Sequence, residues 1–172
     1  MRRFRIGFVI GFVGALVLVA AGTYAYFRFG FAPVATAAPP MPFESRLAHM
    51  ALDARIAKEG KGQPPIPPSE ANLLAGAQIY REQCGVCHGL SGQPEPPISK
   101  GMFPRPPQLF EGHGVTDDPP GETYWKAANG IRLTGMPGFT GSLSDTQLWQ
   151  VSLMLANADK LPASVKAAVT KP

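Results

Sequence analysis

The chain has 172 residues, 45% of them apolar and 16% charged, with a formal charge of +4. That length allows one ordinary domain with extensions. The charge is unevenly spread: residues 1–69 carry +5 and residues 70–172 carry −1, so the basicity belongs to the N-terminal flank and a nucleic-acid surface is excluded.

From Ile6 to Phe27 the sequence runs 22 residues without a charge, against the roughly 20 that cross a bilayer as a helix. Arg2, Arg3 and Arg5 precede the run and Arg28 follows it. Retention of positive charge on the cytoplasmic side predicts an N-terminus inside and the rest of the chain exported. Tyr24, Tyr26, Phe27 and Phe29 suit the outer headgroup zone. The small residues Ala35 to Ala38 also offer cleavage sites for a signal peptide, but the apolar run exceeds the ~7–15 residues of a signal core, which favours a retained anchor. Residues 1–29 are therefore read as a transmembrane anchor.

Residues 30–69 read as a Pro-rich tether, opened by Pro33, Pro39, Pro40 and Pro42 and closed by Pro64, Pro65, Pro67 and Pro68. Between these clusters, 43–58 lacks Pro and Gly and places Phe43, Leu47 and Met50 or Ala51 at helical spacing. A short amphipathic helix is expected there, acting as a spacer or as a docking element.

The domain proper is expected over 70–172. Ser69 can cap a helix over 70–83 with Leu73, Leu74, Ala77 and Tyr80 facing inward. A Pro/Gly-rich loop follows from Gly89 to about Pro107. Pro119, Pro120 and Glu122 begin a second helix, which Asn129-Gly130 stops. Ser144 and Gln147 have capping-box spacing, with Leu143 placed to staple to Leu148, for a last helix to about Ala158. No strand signal lies between these pieces, so the fold class is all-α. So small a core, in a chain with 19 prolines, is marginal without a staple.

The only two cysteines lie in Cys84-Gly85-Val86-Cys87-His88, the spacing of a covalent haem attachment site. Two thiols at i and i+3 leave one helical turn together, and the next residue supplies an iron ligand from the same side. A thioredoxin-like pair would need a βαβ context. A structural zinc site would need about four ligands. Neither context is present. The cofactor read from the motif is one haem c on Cys84 and Cys87, with His88 on the metal.

The sixth ligand decides the chemistry, because an axial Met favours electron transfer and an open site favours ligand binding. The candidates are Met102, His113, Met136 and Met154. Met154 falls inside the last helix, His113 lies in a polar loop, and Met102 offers only a short path from His88. Met136 lies in Gly135-Met136-Pro137-Gly138, where glycines permit close approach and proline stiffens the loop. It is the preferred ligand.

From Ala71 to about Ala158 the sequence resembles the monohaem class I cytochrome c domain family. The residues that carry the likeness are Gly76 and Tyr80 ahead of C-x-x-C-H, Tyr124-Trp125 to Asn129-Gly130-Ile131, Gly135-Met136-Pro137, and Leu148-Trp149. The resemblance implies short helices and loops wrapped around one haem, His/Met ligation, and a non-enzymatic electron carrier beside dehydrogenases or oxidases. It also implies a proline carbonyl that accepts from the proximal histidine; Pro96, Pro97, Pro104 and Pro106 compete for that role. Arg105, Arg132, Tyr124 and Trp125 are candidate donors to the haem propionates. The full expectation is a periplasmic cytochrome on a single-pass inner-membrane helix, serving a redox donor and acceptor. The alternative is a haem sensor or peroxidase-like domain with a displaceable sixth ligand.

Overall fold

A computed structural model describes residues 2–170. Two compact units are present, Met1–Glu44 and Ser45–Pro172. Among the described residues every regular element is helical and no strand occurs.

The first unit is dominated by α1 (Arg2–Arg28), whose side chains are exposed along almost its whole length. With a mean hydropathy of 2.3 over its most apolar window, it is a candidate membrane span, near the N-terminus where a signal sequence would also lie.

From the boundary onward, α2 (Glu44–Glu59) is followed by α3 (Glu70–Ile79), a π-helical turn (Tyr80–Cys84) and the single-turn α4 (Gly85–His88). Then come α5 (Pro97–Lys100), α6 (Pro120–Asn129), α7 (Asp145–Ala156), a 3₁₀ turn (Ala158–Lys160) and α8 (Ala163–Thr170). The caps expected from the sequence form. Ser69 Oγ accepts from the backbone N–H of Asn72 at 3.4 Å. Ser144 and Gln147 close a full capping box, with Ser144 N–H donating to Gln147 Oε1 at 2.9 Å.

The core sits where α3 crosses α7, and α8 packs against α3 and the π turn. Leu73, Ala77, Ile79 and Tyr80 meet Val151, Met154 and Leu155, and Val165 and Val169 of α8 are fully buried against them. The crossing needs a glycine. A Cβ on Gly76 would stand 2.2 Å from the carbonyl oxygen of Gln150, which is backbone and cannot yield. The helix α8 was not anticipated: Val165 and Val169 are one turn apart after Pro162, but eight residues are too few for a periodic signal.

The expected apolar row of α2 is not what α2 buries. Phe43, Leu47 and Met50 stay 57–69% exposed, whereas Ile56 is buried near the helix end. Beyond it, residues 60–62 pass tightly over the start of α6, where a Cβ on Gly121 would meet the carbonyl oxygens of Gly62 and Gly60 at 2.4 and 2.5 Å. Trp125 Nε1–H donates to Glu59 Oε2 at 3.1 Å across the same contact.

Candidate haem-binding site

The attachment motif leaves the core directly. After α3 the chain widens into a π turn, in which Gly85 N–H reaches back to Tyr80 O. Such single π turns often mark functional positions. One turn of α4 then carries Cys87 and His88, with Cys84 just before it. Both cysteines are half-buried free thiols. Burial, with the neighbouring Cys87 second, pushes the Cys84 thiol up to about 12. Val86, between the two cysteines, is 59% exposed.

His88 is oriented through one ring nitrogen. Its Nδ1 lies 2.8 Å from the carbonyl oxygen of Pro107. A carbonyl only accepts, so the Nδ1 proton makes this bond and Nε2 carries the lone pair of the neutral ring. Burial lowers the histidine pKa against the opposing effect of the Pro107 bond, which favours the neutral, ligand-competent form.

The acceptor is thus none of Pro96, Pro97, Pro104 and Pro106. Pro107 holds the role because it lies two residues before the pair that pins the loop to the core. Leu109 and Phe110 pack against the core cluster, and Phe110 meets Tyr80 edge-to-face at 5.1 Å. The signal in the sequence was the apolar pair following the last proline of the run.

Met136 is half-buried in the loop between α6 and α7. Gly130 turns the chain out of α6 at φ 66°, and a Cβ there would stand 2.5 Å from the Gly138 nitrogen. Ile131 N–H donates to Met136 O at 3.2 Å, Met136 N–H to Thr134 Oγ1 at 3.1 Å, and Phe139 N–H to Ala127 O at 2.9 Å. The first two bonds close the turn within the loop, and the third ties it to the end of α6 just after the methionine.

The other candidate ligands fall in different surroundings. Met154 is fully buried in the α7 core and His113 is exposed. Met102 comes closer than its sequence position suggested. Its terminal methyl fills the space beside Gly135, where a Cβ would stand only 2.0 Å away. It therefore neighbours the Met136 turn. Among the four candidate propionate donors, Tyr124 O–H donates to Asp145 Oδ1 at 2.5 Å and Trp125 to Glu59. Arg105 pairs with Glu95 at 3.1 Å, and Arg132 is exposed.

This donor set fits a covalently attached iron porphyrin: two thiols one turn apart, an imidazole with Nε2 free beside them, and a thioether on a fastened loop. Among the described residues no group of three or more His, Cys, Asp or Glu side chains gathers as a separate metal site.

Residues 71–153 match the family described as cytochrome c oxidase, cbb3-type, subunit III. Over 130 residues the chain is 27% identical to the quinohemoprotein alcohol dehydrogenase ADH IIB of Pseudomonas putida, covering 70% of this chain and 17% of that protein. Over 104 residues it is 30% identical to the thiosulfate dehydrogenase of Stutzerimonas stutzeri (strain A1501), covering 59% of this chain and 33% of that protein. The chain thus spans a third or less of these two relatives. A chain of the Kuenenia stuttgartiensis reducing HAO-like protein complex is similar in structure, with a TM-score of 0.49 and 28% identity over 56% of this chain and 47% of that one.

Proposed function

We propose, from the premise that residues 71–153 are a monohaem class I cytochrome c domain, that the chain carries one haem c and passes single electrons between redox proteins. Cys84 and Cys87 would hold the haem by thioethers, with His88 and Met136 as its axial ligands. The observation that carries this reading is the Nδ1–H bond of His88 to Pro107 O, which leaves Nε2 free beside the two thiols. When bound, the haem supplies one-electron chemistry through its ferric and ferrous states.

The chain's own residues do the rest. Pro107 fixes the His88 tautomer and raises its donor strength. The backbone bonds of residues 127–139 hold the Met136 loop in place. The relatives named as dehydrogenases, and a family described as an oxidase subunit, support a role beside a larger oxidoreductase.

We assign residues 1–29 to a membrane anchor, 30–69 to the connection and 70–172 to the haem domain, on the periplasmic side of a bacterial inner membrane. The apolar length of α1 and its basic N-terminal flank support this topology. Within the connection, Ile56 and residues 60–62 pack within the second unit.

The test is the absorption spectrum of the purified full-length protein beside Met136→Ala. A far-red sulfur-to-iron band in the oxidised wild type, absent from the variant, supports the assignment. If the variant keeps the band, Met102 is the ligand. If the wild type lacks it and its ferrous form binds carbon monoxide at neutral pH, the carrier reading fails and the sensor reading replaces it.

A further inference from the structure

Pro107 accounts for one nitrogen of His88, but a carbonyl orients an imidazole only if the two are held in register. The structure supplies that register through side chains on both flanks of the motif. A helix of one turn leaves its last carbonyls without partners of its own. In α4, Gly89 N–H satisfies Gly85 O at 3.0 Å. The carbonyls of Cys87, His88 and Gly89 are met by side chains from elsewhere. Gln108 Nε2–H donates to Cys87 O at 3.3 Å and also reaches Pro106 O at 3.4 Å. Tyr80 O–H lies 2.8 Å from Gly89 O and 3.2 Å from His88 O, and donates to this pair.

Gln108 also presses on the residue after the histidine. A Cβ on Gly89 would stand 2.3 Å from Gln108 Oε1, and Gly89 has φ 72°, where side chains are strained. The amide therefore bears on the residues before and after His88, while the carbonyl of Pro107 accepts the hydrogen bond from the ring Nδ1–H. Behind it, the neighbouring Phe110 stacks edge-to-face on Tyr80, which is fully buried. The two side chains that cap α4 are thus tied together through the core.

We propose that Gln108, assisted by Tyr80, is a positioning residue for His88, locking α4 against Pro107 so that the Nδ1–H bond stays short and Nε2 stays aimed. This rests on the reading of His88 as the iron ligand. The physical consequence is electronic as well as geometric. A shorter Nδ1–H···O bond makes the imidazole a stronger donor, which favours the ferric state, so loosening it raises the reduction potential.

The experiment uses the full-length haem-loaded protein, Gln108→Met, which keeps side-chain length and removes the donor, and Tyr80→Phe, which keeps the ring and removes the hydroxyl. Covalent haem and the far-red band are recorded first in the wild type. Their absence there defeats the haem reading itself, separately from this proposal. In Gln108→Met both features are expected to persist, with the His88 Nδ1–H exchanging on the order of tenfold faster by NMR, as for the loss of one hydrogen bond. The midpoint potential is expected to shift upward. Tyr80→Phe should move both quantities in the same direction by less. A lower melting temperature with unchanged exchange and potential in either variant would reduce that residue to packing alone. If Gln108→Met yields no holoprotein, the exchange rate in Tyr80→Phe decides: unchanged, the proposal is overturned.

Discussion

The two segments that bear the candidate ligands are held by different chemistry. Around His88, side chains do the holding: Tyr80, Gln108 and the Pro107 carbonyl converge on one helical turn, and Leu109 and Phe110 sink into the core behind them. Around Met136 the backbone does it, through bonds between residues 127 and 139 and a close approach of Gly130 to Gly138. The outer tip of that loop, Leu133, is 93% exposed. One segment is an extension of the hydrophobic core and the other is a locally closed turn. Faults in the first should therefore spread to the whole domain, and faults in the second should stay local.

The largest expected effect tests the first half of that contrast. Gly76→Val places new atoms against the Gln150 backbone at the crossing of α3 and α7, where nothing can move aside cheaply. Overpacking of this kind costs at or above about 3 kcal/mol. Because α3 runs straight into the π turn and α4, the variant should lose both folding cooperativity in urea and the holo spectrum. A stable variant whose Met136 side alone is disturbed would break the comparison.

Gly130→Ala tests the other half. The residue sits at φ 66°, and its Cβ would crowd Gly138 N and Pro137 C at 2.5 and 2.6 Å. Strain and crowding together should cost about 2 kcal/mol. The far-red band should weaken while covalent haem and the His88 Nδ1–H resonance persist. Loss of both together would show that the two segments are not independent.

How far each segment could be read from the sequence follows the same division. Short-range rules work where the partners are near in sequence, so the caps at Ser69 and Ser144, the stop at Asn129-Gly130 and the turn of C-x-x-C-H were legible. The core face of α3 was legible for the same reason: Leu73, Ala77 and Tyr80 recur at helical spacing. Long-range choices were not. Pro107 is selected by where Leu109 and Phe110 dock, and Met102 reaches Gly135 through the path of α5, which no local pattern encodes. The π turn was hidden because an added residue changes helical phase without changing composition. In α2, Ile56 is buried and Leu47 is not, since tertiary contacts choose among several apolar positions.

Leu133 offers a smaller effect within the Met136 loop. It is a non-glycine residue at φ 61° with almost no buried surface. Asparagine tolerates that conformation better. Leu133→Asn should raise the denaturation midpoint by up to about 1 kcal/mol equivalent and leave the spectrum unchanged. A clear loss of stability would mean that the exposed leucine makes contacts its exposure does not suggest.

The smallest expected effect concerns the base of that loop, because α6 and α7 flank it. Tyr124 of α6 donates to Asp145 at the start of α7 and stacks on Trp149 with ring centroids 4.2 Å apart. The bond to the Asp145 carboxylate, with burial second, raises the Tyr124 pKa above its ordinary 10.0. A group whose folded pKa is raised adds stability below its unfolded pKa, and that contribution fades as pH climbs through the folded value. The stabilisation is thus complete below about pH 10 and declines above it. Because the pair is largely solvated, it is worth roughly a few tenths of a kcal/mol. Buried Tyr80 also resists ionisation and adds its own alkaline loss, so the wild type alone cannot isolate Tyr124. The difference in urea midpoint between wild type and Tyr124→Phe can. It should be constant from pH 7 to 9 and shrink above pH 10, with any early spectral change on the Met136 side. A difference that stays flat to pH 11 would remove Tyr124 as the tie between the two helices. The rigidity of the Met136 loop would then rest on the bonds within the loop and to α6.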